Sequence, residues 1–537
     1  MWICWKTSCN YNYFIKWGIV PPVMYKLITI ALICGLQSTW AASTNLANIF
    51  PKVENVKYVN LADTVSVGKL LFTKCLVNDP SKIFFRNVEC AAIDVPEDYD
   101  KPEGKKISIF IIRLKAIGKS VTDDPLVLIQ GGPGAAASET FIIPGMGFDK
   151  VLQQRDIFLI DQRGTGKSNK LQCDSLEDPS QSLTDDLTEI RKLTQACFDD
   201  LAKDNDLTLY TTSVAIKDYE QVRTALGYQH WNVYGVSYGT RVALHYLRQY
   251  PNSIRTLMLD GVVYPELNLG PDIAHQSQRA LDQLIQRCLQ APDCDKAFPN
   301  FDEGVESLLN RLEQTPLVFE MENFTSGSKE TIEFSKSYLV ILIRLALYND
   351  ASTAILPLLL YEAYANNNFS PLARNASEIM QSVGGALSIG MHNSVVCTED
   401  IPFIDGDYLE KDKEKLEKTY MGTAVIDLLK LTCEIWPSGK IDSNFKEPLK
   451  SGKPVLLMSG SADPITPPEY AQHVETSLTN STHLVVSGHG HGVARVGCMS
   501  TLIAQFIDTQ APAELDPSCL NKQLPDPFFI DFNGPAP

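Results

Sequence analysis

Several features that mark other protein classes are missing from this sequence. Lys and Arg number 47 against 64 Asp and Glu, a formal net charge of −17, so the chain lacks the basic surface that nucleic-acid binding requires. No segment repeats at intervals of about 20–50 residues, which excludes solenoids and propellers. The 44% hydrophobic and 21% charged residues indicate a globular protein with a large core. At about 150 residues per domain, the length predicts about two to four domains.

No apolar run is long enough to span a bilayer. The run Leu27–Leu36 is short, follows Lys26, and precedes small residues that end at Ala41. This order is typical of a secretory signal, so we expect residues 1–41 to be a signal peptide cleaved after Ala41, with Met24 as an alternative start of translation. The competing interpretation is a buried N-terminal helix. A second apolar run, Leu339–Tyr348, contains Arg344 and is interpreted as a buried helix.

No Cys-x-x-Cys pair is present, which leaves zinc ribbons and thioredoxin-like redox sites without support. Removing the signal would leave ten cysteines, an even number that suits disulfides and an oxidising compartment. We therefore expect the protein to be secreted or periplasmic. Sequence does not determine the connectivity, and several buried free thiols are the alternative. Pairing of nearest neighbours, which closes only short loops, predicts the bonds 75–90, 173–197, 288–294, 397–433 and 498–519.

Short apolar segments alternate with helix-length segments in the first half of the chain. This pattern predicts an α/β fold, a mostly parallel sheet with helices on both faces. The predicted strands are 107–112, 126–129, 157–160, 231–234, 256–259, 454–458 and 483–486. Residues 266–445 are mainly helical, over 275–290, 302–314, 334–366 and 408–432. We therefore expect a catalytic domain formed by 42–265 and 446–511, an inserted helical cap at 266–445, and a C-terminal tail at 512–537.

The segment Gly235-Val236-Ser237-Tyr238-Gly239 lies between a predicted strand and a predicted helix. This is the pattern of a nucleophile elbow, in which a tight, strained turn presents the serine hydroxyl and flanking glycines allow neighbouring backbone to approach. The helix that follows directs its N–H groups at developing negative charge. Ser237 is the candidate nucleophile; the alternative is a glycine-rich turn with an uninvolved serine.

A serine nucleophile requires a base, and the base requires a group that orients it. In α/β architectures of this kind the acid follows the serine in the chain, and the histidine follows the acid. The strand at 454–458 leads to Asp463, and the next strand leads to His489 and His491. Asp463 is the candidate acid and His491 the preferred base. The alternative for the two histidines is a metal-binding pair, although no further acidic or Cys ligand clusters near them.

Gln130-Gly131-Gly132-Pro133-Gly134 follows an early strand. Backbone N–H groups in such a loop can bind an oxyanion, and we expect Gly132 and Tyr238 to supply the two donors. A plain turn is the alternative. The segment Gly164–Ser168 resembles part of a phosphate-binding loop, but Asp161 stands where that motif needs its first glycine. We interpret it as a structural loop.

Together these motifs resemble the proline iminopeptidase and tripeptidyl aminopeptidase branch of the α/β-hydrolases. The residues that carry the resemblance are GGPG at 131–134, DQRGTGKS at 161–168, GVSYGT at 235–240, VPEDY at 95–99, and the segment Gly460–Cys519. In that branch the motif at the base reads Gly-x-Gly-His-Gly, which selects His491 over His489. Gln130 departs from the pattern, because many iminopeptidases have His there, and this weakens a proline-specific interpretation.

The resemblance implies release of residues from the free N-terminus of a peptide, by acyl transfer without a metal or organic cofactor. An enzyme that selects a free ammonium group needs a carboxylate to pair with it. In the cap, Cys397-Thr398-Glu399-Asp400 resembles the corresponding acidic segment of related aminopeptidases. We therefore expect Glu399 to bind the substrate amine, with Asp400 as second choice. The alternative is an exposed acidic turn.

Two other functions are compatible with the same residues. A secreted carboxylic-ester hydrolase would use the same triad, and a requirement for a free α-amino group would distinguish the two. An aminopeptidase should fail on peptides with blocked N-termini, whereas both enzymes could cleave simple esters. A non-catalytic binding protein on a hydrolase scaffold is the third possibility, although the complete triad argues against it. Sequons at Asn323, Asn368, Asn375 and Asn480 would be glycosylated only in a eukaryotic secretory route.

Overall fold

A ten-stranded sheet forms the centre of the computed structural model. The structure describes residues 64–80, 82–173, 186–322, 329–384, 386–404 and 406–535, all within the unit Asn60–Pro537. The predicted signal peptide and Asn323 lie outside these residues. Across the sheet, the strands are β1 (Thr64–Val67), β2 (Leu70–Asn78), β3 (Phe85–Pro96), β4 (Lys106–Leu114), β6 (Ile157–Ile160), β5 (Leu126–Ile129), β7 (Trp231–Val236), β8 (Ile254–Asp260), β11 (Val455–Gly460) and β12 (Ser481–Val486).

Strands β1 to β4 pair antiparallel, β4 pairs antiparallel with β6, and the remaining pairs from β6 to β12 are parallel. The predicted α/β fold with a mostly parallel sheet is confirmed. Because the carboxyl ends of the parallel strands share one edge, the loops after β5, β7, β8, β11 and β12 lie at the same edge. These loops contain the candidate site residues of the catalytic domain.

Apolar residues fill the central strands because helices cover both sides of the sheet. Every residue of Leu126–Ile129 and of Ile157–Ile160 is buried. Val127 and Ile129 join one core cluster, whereas Leu126 and Leu128 join another on the opposite face. This alternation follows from the two-residue period of a strand.

Helices pack on both faces of the sheet and complete the two core clusters. In chain order they are α1 (Ala137–Thr140), α2 (Leu187–Leu201), α3 (Thr212–Leu226), α4 (Tyr238–Gln249), α5 (Pro271–Gln290), α6 (Pro292–Ala297), α7 (Phe301–Gln314), α8 (Lys336–Ala346), α9 (Asp350–Asn366), α10 (Ser370–Gly384), α11 (Ile389–Glu399), α12 (Gly406–Glu417), α13 (Ala424–Cys433), α14 (Pro468–Glu475) and α15 (Met499–Thr509). Residues of α3 and α4 line one face of the sheet, and residues of α15 line the other.

The segment between β8 and β11 differs from the prediction in two ways. A hairpin of β9 (Leu317–Glu322) and β10 (Lys329–Phe334) precedes α8, in a region where only helices were predicted. The single helix expected at 334–366 is interrupted between α8 and α9, where the Asn349 side chain accepts a hydrogen bond from Ser352 N–H and begins the second helix. Much of this segment packs in a third core cluster. The boundaries 266–445 for a cap stay a prediction.

The C-terminal tail also contains local structure. Two short 3-10 helices, Pro512–Glu514 and Pro517–Lys522, precede a small hairpin of β13 (Phe529–Asp531) and β14 (Gly534–Pro535). The disulfide between Cys498 and Cys519 joins the 3-10 region to the start of α15. No helix among the described residues meets the length and hydropathy of a membrane span.

All five nearest-neighbour disulfides are formed in the structure. They join Cys75 to Cys90, Cys173 to Cys197, Cys288 to Cys294, Cys397 to Cys433 and Cys498 to Cys519. The alternative of buried free thiols is therefore wrong for these ten residues. A disulfide stabilises a fold by typically about 2–4 kcal/mol, through a mechanism that depends on the model used.

We expect none of these ten cysteines to react with an alkylating reagent in the unfolded, unreduced protein, because each sulfur is already bonded. Differential alkylation before and after reduction, followed by peptide mapping, measures this residue by residue. Alkylation of most of them without reductant would contradict both the pairing and the oxidising compartment.

Candidate active site

Ser237 lies at the turn between β7 and α4, as the elbow motif predicts. Its backbone has φ 57° and ψ −130°, a strained conformation for a residue other than glycine. The flanking glycines are required by space: a Cβ on Gly235 would lie 2.4 Å from Gly239 O, and one on Gly239 would lie 2.5 Å from Ile129 O. Ser237 N–H donates to Asp260 O at 2.9 Å. The neighbouring backbone therefore holds this residue at the start of α4.

Asp463 and His491 are in direct contact. His491 Nδ1 lies 2.8 Å from Asp463 Oδ2. Asp463 also accepts hydrogen bonds from Ile465 N–H, Thr466 N–H and Thr466 Oγ1–H, each at 2.8 Å. A carboxylate with these donors orients the imidazole and leaves Nε2 free to take a proton.

Burial and charge act in opposite directions on this pair. Burial opposes the charge on Asp463, but His491 and the backbone donors outweigh it and place the pKa of Asp463 below its ordinary value. Burial also opposes the imidazolium, but Asp463 and Asp260 outweigh it and raise the pKa of His491 above its ordinary value. A raised pKa favours proton transfer from a hydroxyl, as a general base requires.

The loop after β5 packs directly against the serine. A Cβ on Gly131 would lie 2.7 Å from Ser237 Cβ and 3.3 Å from Ser237 Oγ. Gly131 N–H already donates to Gln130 Oε1 at 3.0 Å, and Gln130 Nε2–H donates to Thr140 Oγ1 at 2.9 Å. Gln130, noted in the sequence only as a departure from a motif, thus occupies the N–H of Gly131. This leaves Gly132 as the candidate donor from this loop.

Glu399 and Asp400 lie at the end of α11, and both are fully buried. The alternative of an exposed acidic turn is therefore wrong. Glu399 accepts hydrogen bonds from Thr212 N–H at 2.7 Å and Thr212 Oγ1–H at 2.9 Å, and Thr212 Oγ1 lies 2.6 Å from Tyr238 Oη. Asp400 accepts two hydrogen bonds from Arg241, at 2.8 and 3.1 Å. Both carboxylates thus contact groups on or beside the elbow helix.

Burial raises the pKa of Glu399 to about 7, although Arg241 and Thr212 favour its charged form. The Arg241 guanidinium lies 3.6 Å from Glu399 and 2.8 Å from Asp400. Both carboxylates therefore already have a cationic partner within the protein, Arg241, and Glu399 has hydrogen-bond donors in Thr212. Binding of a substrate amine by Glu399 or Asp400 stays a prediction.

The two histidines of the motif bind different carboxylates. His489 Nδ1 lies 2.5 Å from Asp350 Oδ2, at the start of α9. His491 N–H donates to Tyr348 O at 2.8 Å, and the Tyr348 ring contacts the His491 ring edge-on at 5.2 Å between centroids. The connection between α8 and α9 therefore contacts the loop of the base. The sequence analysis assigned no role to Asp350 or Tyr348, because nothing in the local pattern indicates this contact.

Comparison with known proteins identifies the fold. Residues 124–320 match the family model described as alpha/beta hydrolase fold, and residues 418–519 match the model described as TAP-like protein. The chain therefore has the α/β-hydrolase fold, with a TAP-like C-terminal segment. This confirms the predicted fold and the resemblance, and the chain is a hydrolase.

Relatives of this hydrolase include named peptidases. It is 24% identical over 485 residues to the serine protease Hip1 of Mycobacterium tuberculosis strain H37Rv, covering 81% of this chain and 88% of the relative. It is 24% identical over 476 residues to a tripeptidyl aminopeptidase of Streptomyces lividans, covering 82% and 85%. Carboxylesterase B of Mycobacterium tuberculosis strain CDC 1551 is 30% identical over 236 residues, covering 41% and 44%.

Among solved structures, the proline iminopeptidase of Mycobacterium smegmatis matches with a TM-score of 0.38 and 15% identity. This match covers 79% of the hydrolase and 99% of the iminopeptidase chain.

Proposed function

We propose that this hydrolase is a serine aminopeptidase that acts outside the cytoplasm on peptides with a free N-terminus. The observation that carries the proposal is the contact between His491 and Asp463, on the loops after β12 and β11, at the sheet edge where Ser237 follows β7. The two peptidase relatives span most of the chain and favour a peptide substrate. The five disulfides favour an oxidising compartment, secreted or periplasmic.

In the proposed reaction, Ser237 Oγ attacks the carbonyl carbon of the scissile peptide bond while His491 Nε2 takes the hydroxyl proton. The N–H groups of Gly132 and Tyr238 stabilise the oxyanion. The C–N bond then breaks, and His491 gives its proton to the leaving amine. Water attacks the acyl-enzyme, His491 takes a proton from that water, and the proton returns to Ser237 Oγ as the N-terminal fragment leaves as an acid.

A comparison of three substrates tests the peptidase proposal. We expect a peptide with a free N-terminus to be cleaved near that end, and its N-acetylated counterpart to resist cleavage, because acetylation removes the ammonium group. A small uncharged ester is the third substrate, and we expect it to be cleaved, since a serine triad cleaves esters readily. Mass spectrometry of the products gives the number of residues released. Equal cleavage of free and acetylated peptides would contradict an aminopeptidase.

A carboxylic-ester hydrolase is the second candidate function. Carboxylesterase B matches at the higher identity of 30%, but over only 41% of this chain. Rapid hydrolysis of the ester with no cleavage of either peptide would favour this function.

Glu399→Gln tests the predicted amine-binding residue. We expect it to raise KM and lower kcat/KM for free-amine peptides by about tenfold or more, because a neutral amide cannot neutralise an ammonium group. Ester hydrolysis should be nearly unchanged. Glu97→Gln is a matched control, since Glu97 is also buried and also accepts a hydrogen bond, from Tyr210 Oη–H at 2.9 Å. Equal losses on peptide and ester would assign Glu399 to the support of Tyr238 through Thr212.

A further inference from the structure

Asp260 is the last residue of β8, and its side chain is fully buried. Its backbone oxygen accepts the hydrogen bond from Ser237 N–H at 2.9 Å. Its carboxylate accepts hydrogen bonds from Val493 N–H at 2.9 and 3.0 Å, from Ala494 N–H at 2.9 Å and from Tyr234 Oη–H at 2.8 Å. One residue therefore binds the backbone of the nucleophile and, through its side chain, the loop immediately after His491.

Gly261 brings the same segment against the imidazole ring. Its φ is +66°, and a Cβ built there would lie 3.0 Å from His491 Cε1 and 3.2 Å from His491 Nδ1. The same Cβ would lie 2.7 Å from Thr466 Oγ1, which donates to Asp463. No side chain fits at this position without displacing the base or the donor to the acid.

We propose that Asp260 and Gly261 form a support that fixes the base relative to the nucleophile, a role that rests on the proposed Ser237–His491–Asp463 chemistry. Asp260 acts through Ser237 N–H and through Val493 and Ala494, so it is a positioning residue. Gly261 leaves the space that the ring occupies. The triad pattern in the sequence assigns no role to these two residues.

The contacts of the carboxylate fit its ionised form. All three groups around it donate hydrogen, and burial raises the pKa of Tyr234 well above its ordinary value, so its hydroxyl remains a donor. Burial also raises the pKa of Asp260, while Val493, Tyr234 and Ala494 oppose that shift. An ionised carboxylate here accepts every hydrogen bond offered to it, as a buried charge requires.

The support also acts on the imidazole electrostatically. The charged groups that face His491 are Asp463 from the loop after β11, Asp260 from β8 and Arg344 from α8, and the Tyr348 ring packs on its edge. The two carboxylates raise the pKa of His491 and Arg344 lowers it. Because the neutral imidazole is the active base, loss of the Asp260 charge should move the acidic limb of the rate profile to lower pH.

Asp260→Asn tests the support, with Asp161→Asn as the matched control. Asp161 is also fully buried, and it accepts hydrogen bonds from Ser138 N–H, Lys167 N–H and Ser138 Oγ–H at 2.8, 3.0 and 2.8 Å, but its contacts hold a different loop. We expect Asp260→Asn to lower kcat by roughly 10- to 100-fold on peptide and ester alike, with KM little changed and the acidic limb at lower pH. Asp161→Asn should leave the position of that limb unchanged.

Alanine substitutions at two glycines provide a second test, which leaves the buried Asp260 carboxylate unchanged. Gly261→Ala should lower kcat by roughly 100-fold, because the new Cβ displaces the His491 ring. Gly422→Ala is its control: Gly422 has a similar φ of +58° but open space where a Cβ would stand, so it reproduces the backbone strain alone.

Wild-type kcat and an unmoved acidic limb in folded Asp260→Asn would overturn the proposal, as would equal activity of Gly261→Ala and Gly422→Ala. Failure of the proposed function is a different result. In that case a Ser237→Ala protein would retain activity. An enzyme that needs Ser237 but keeps its activity in the Asp260→Asn variant would contradict only the positioning role of Asp260.

Discussion

Ser237→Ala is expected to lower kcat by about 10⁴- to 10⁶-fold on both peptide and ester substrates, because members of a catalytic triad act as a unit. The substitution removes one oxygen and leaves the flanking glycines, so the turn between β7 and α4 should keep its shape. Steady-state kinetics of the purified variant measure the loss. Thermal unfolding and circular dichroism provide the control for folding.

Residual activity near that of the wild type, in a folded Ser237→Ala protein, would remove Ser237 as the nucleophile. Activity reduced in proportion to a loss of folded protein would instead indicate damage to the elbow. Thermal unfolding distinguishes these two results, because a protein with a damaged elbow also loses its cooperative melting transition.

His491→Ala should reduce kcat by a similar factor, about 10⁴-fold or more, because it removes the base and leaves a buried Asp463 without its imidazole partner. His489→Ala is the matched control, since this histidine is two residues away on the same loop. Its ring bonds Asp350 instead of Asp463, so its loss should cost stability and only modest activity. Kinetics and thermal unfolding of both variants, measured together, separate the two effects.

The reverse ranking, with His489→Ala more damaging to kcat than His491→Ala, would mean that the base has been wrongly assigned. Equal and large losses in both would indicate that the loop, rather than one ring, is essential. The structure predicts neither result, because of these two histidines His491 contacts Asp463 and His489 contacts Asp350.

The sequence predicted those parts of the molecule that depend on local patterns. The apolar runs Leu126–Ile129 and Ile157–Ile160 are too short for helices and lie between helix-length segments, so they predict buried strands of one sheet. Chain order pointed to Asp463 and to a histidine at 489 or 491, and the motif of the resembled family selected His491, which contacts Asp463 in the structure. Nearest-neighbour disulfides were correct because each closes a short loop within neighbouring elements, such as Cys75 on β2 and Cys90 on β3.

Contacts between distant segments could not be predicted. Asp350 bonds His489 across 139 residues, and Arg241 binds Asp400 across 159 residues. The burial of Asp400 follows from that arginine, since an isolated carboxylate would remain in water. The hairpin β9–β10 was missed because its short strands lie between strong helical patterns, where periodicity gives little signal.

The role of Asp260 shows the same limit at the site itself. In the sequence it is an acidic residue at the end of an apolar strand, with nothing to indicate that its carboxylate binds the backbone of Val493 and Ala494. A pattern of residue types gives candidate catalytic groups, whereas the groups that position them depend on which loops the fold brings together.

Labelling with a fluorophosphonate, followed by peptide mapping, shows directly whether Ser237 is the activated nucleophile, because the reagent reacts with a serine that a neighbouring base has activated. We expect one adduct, on Ser237, with loss of hydrolysis in proportion to labelling and no adduct in the His491→Ala protein. An adduct on another residue that abolishes activity, or full activity in a protein whose Ser237 is completely labelled, would contradict this assignment.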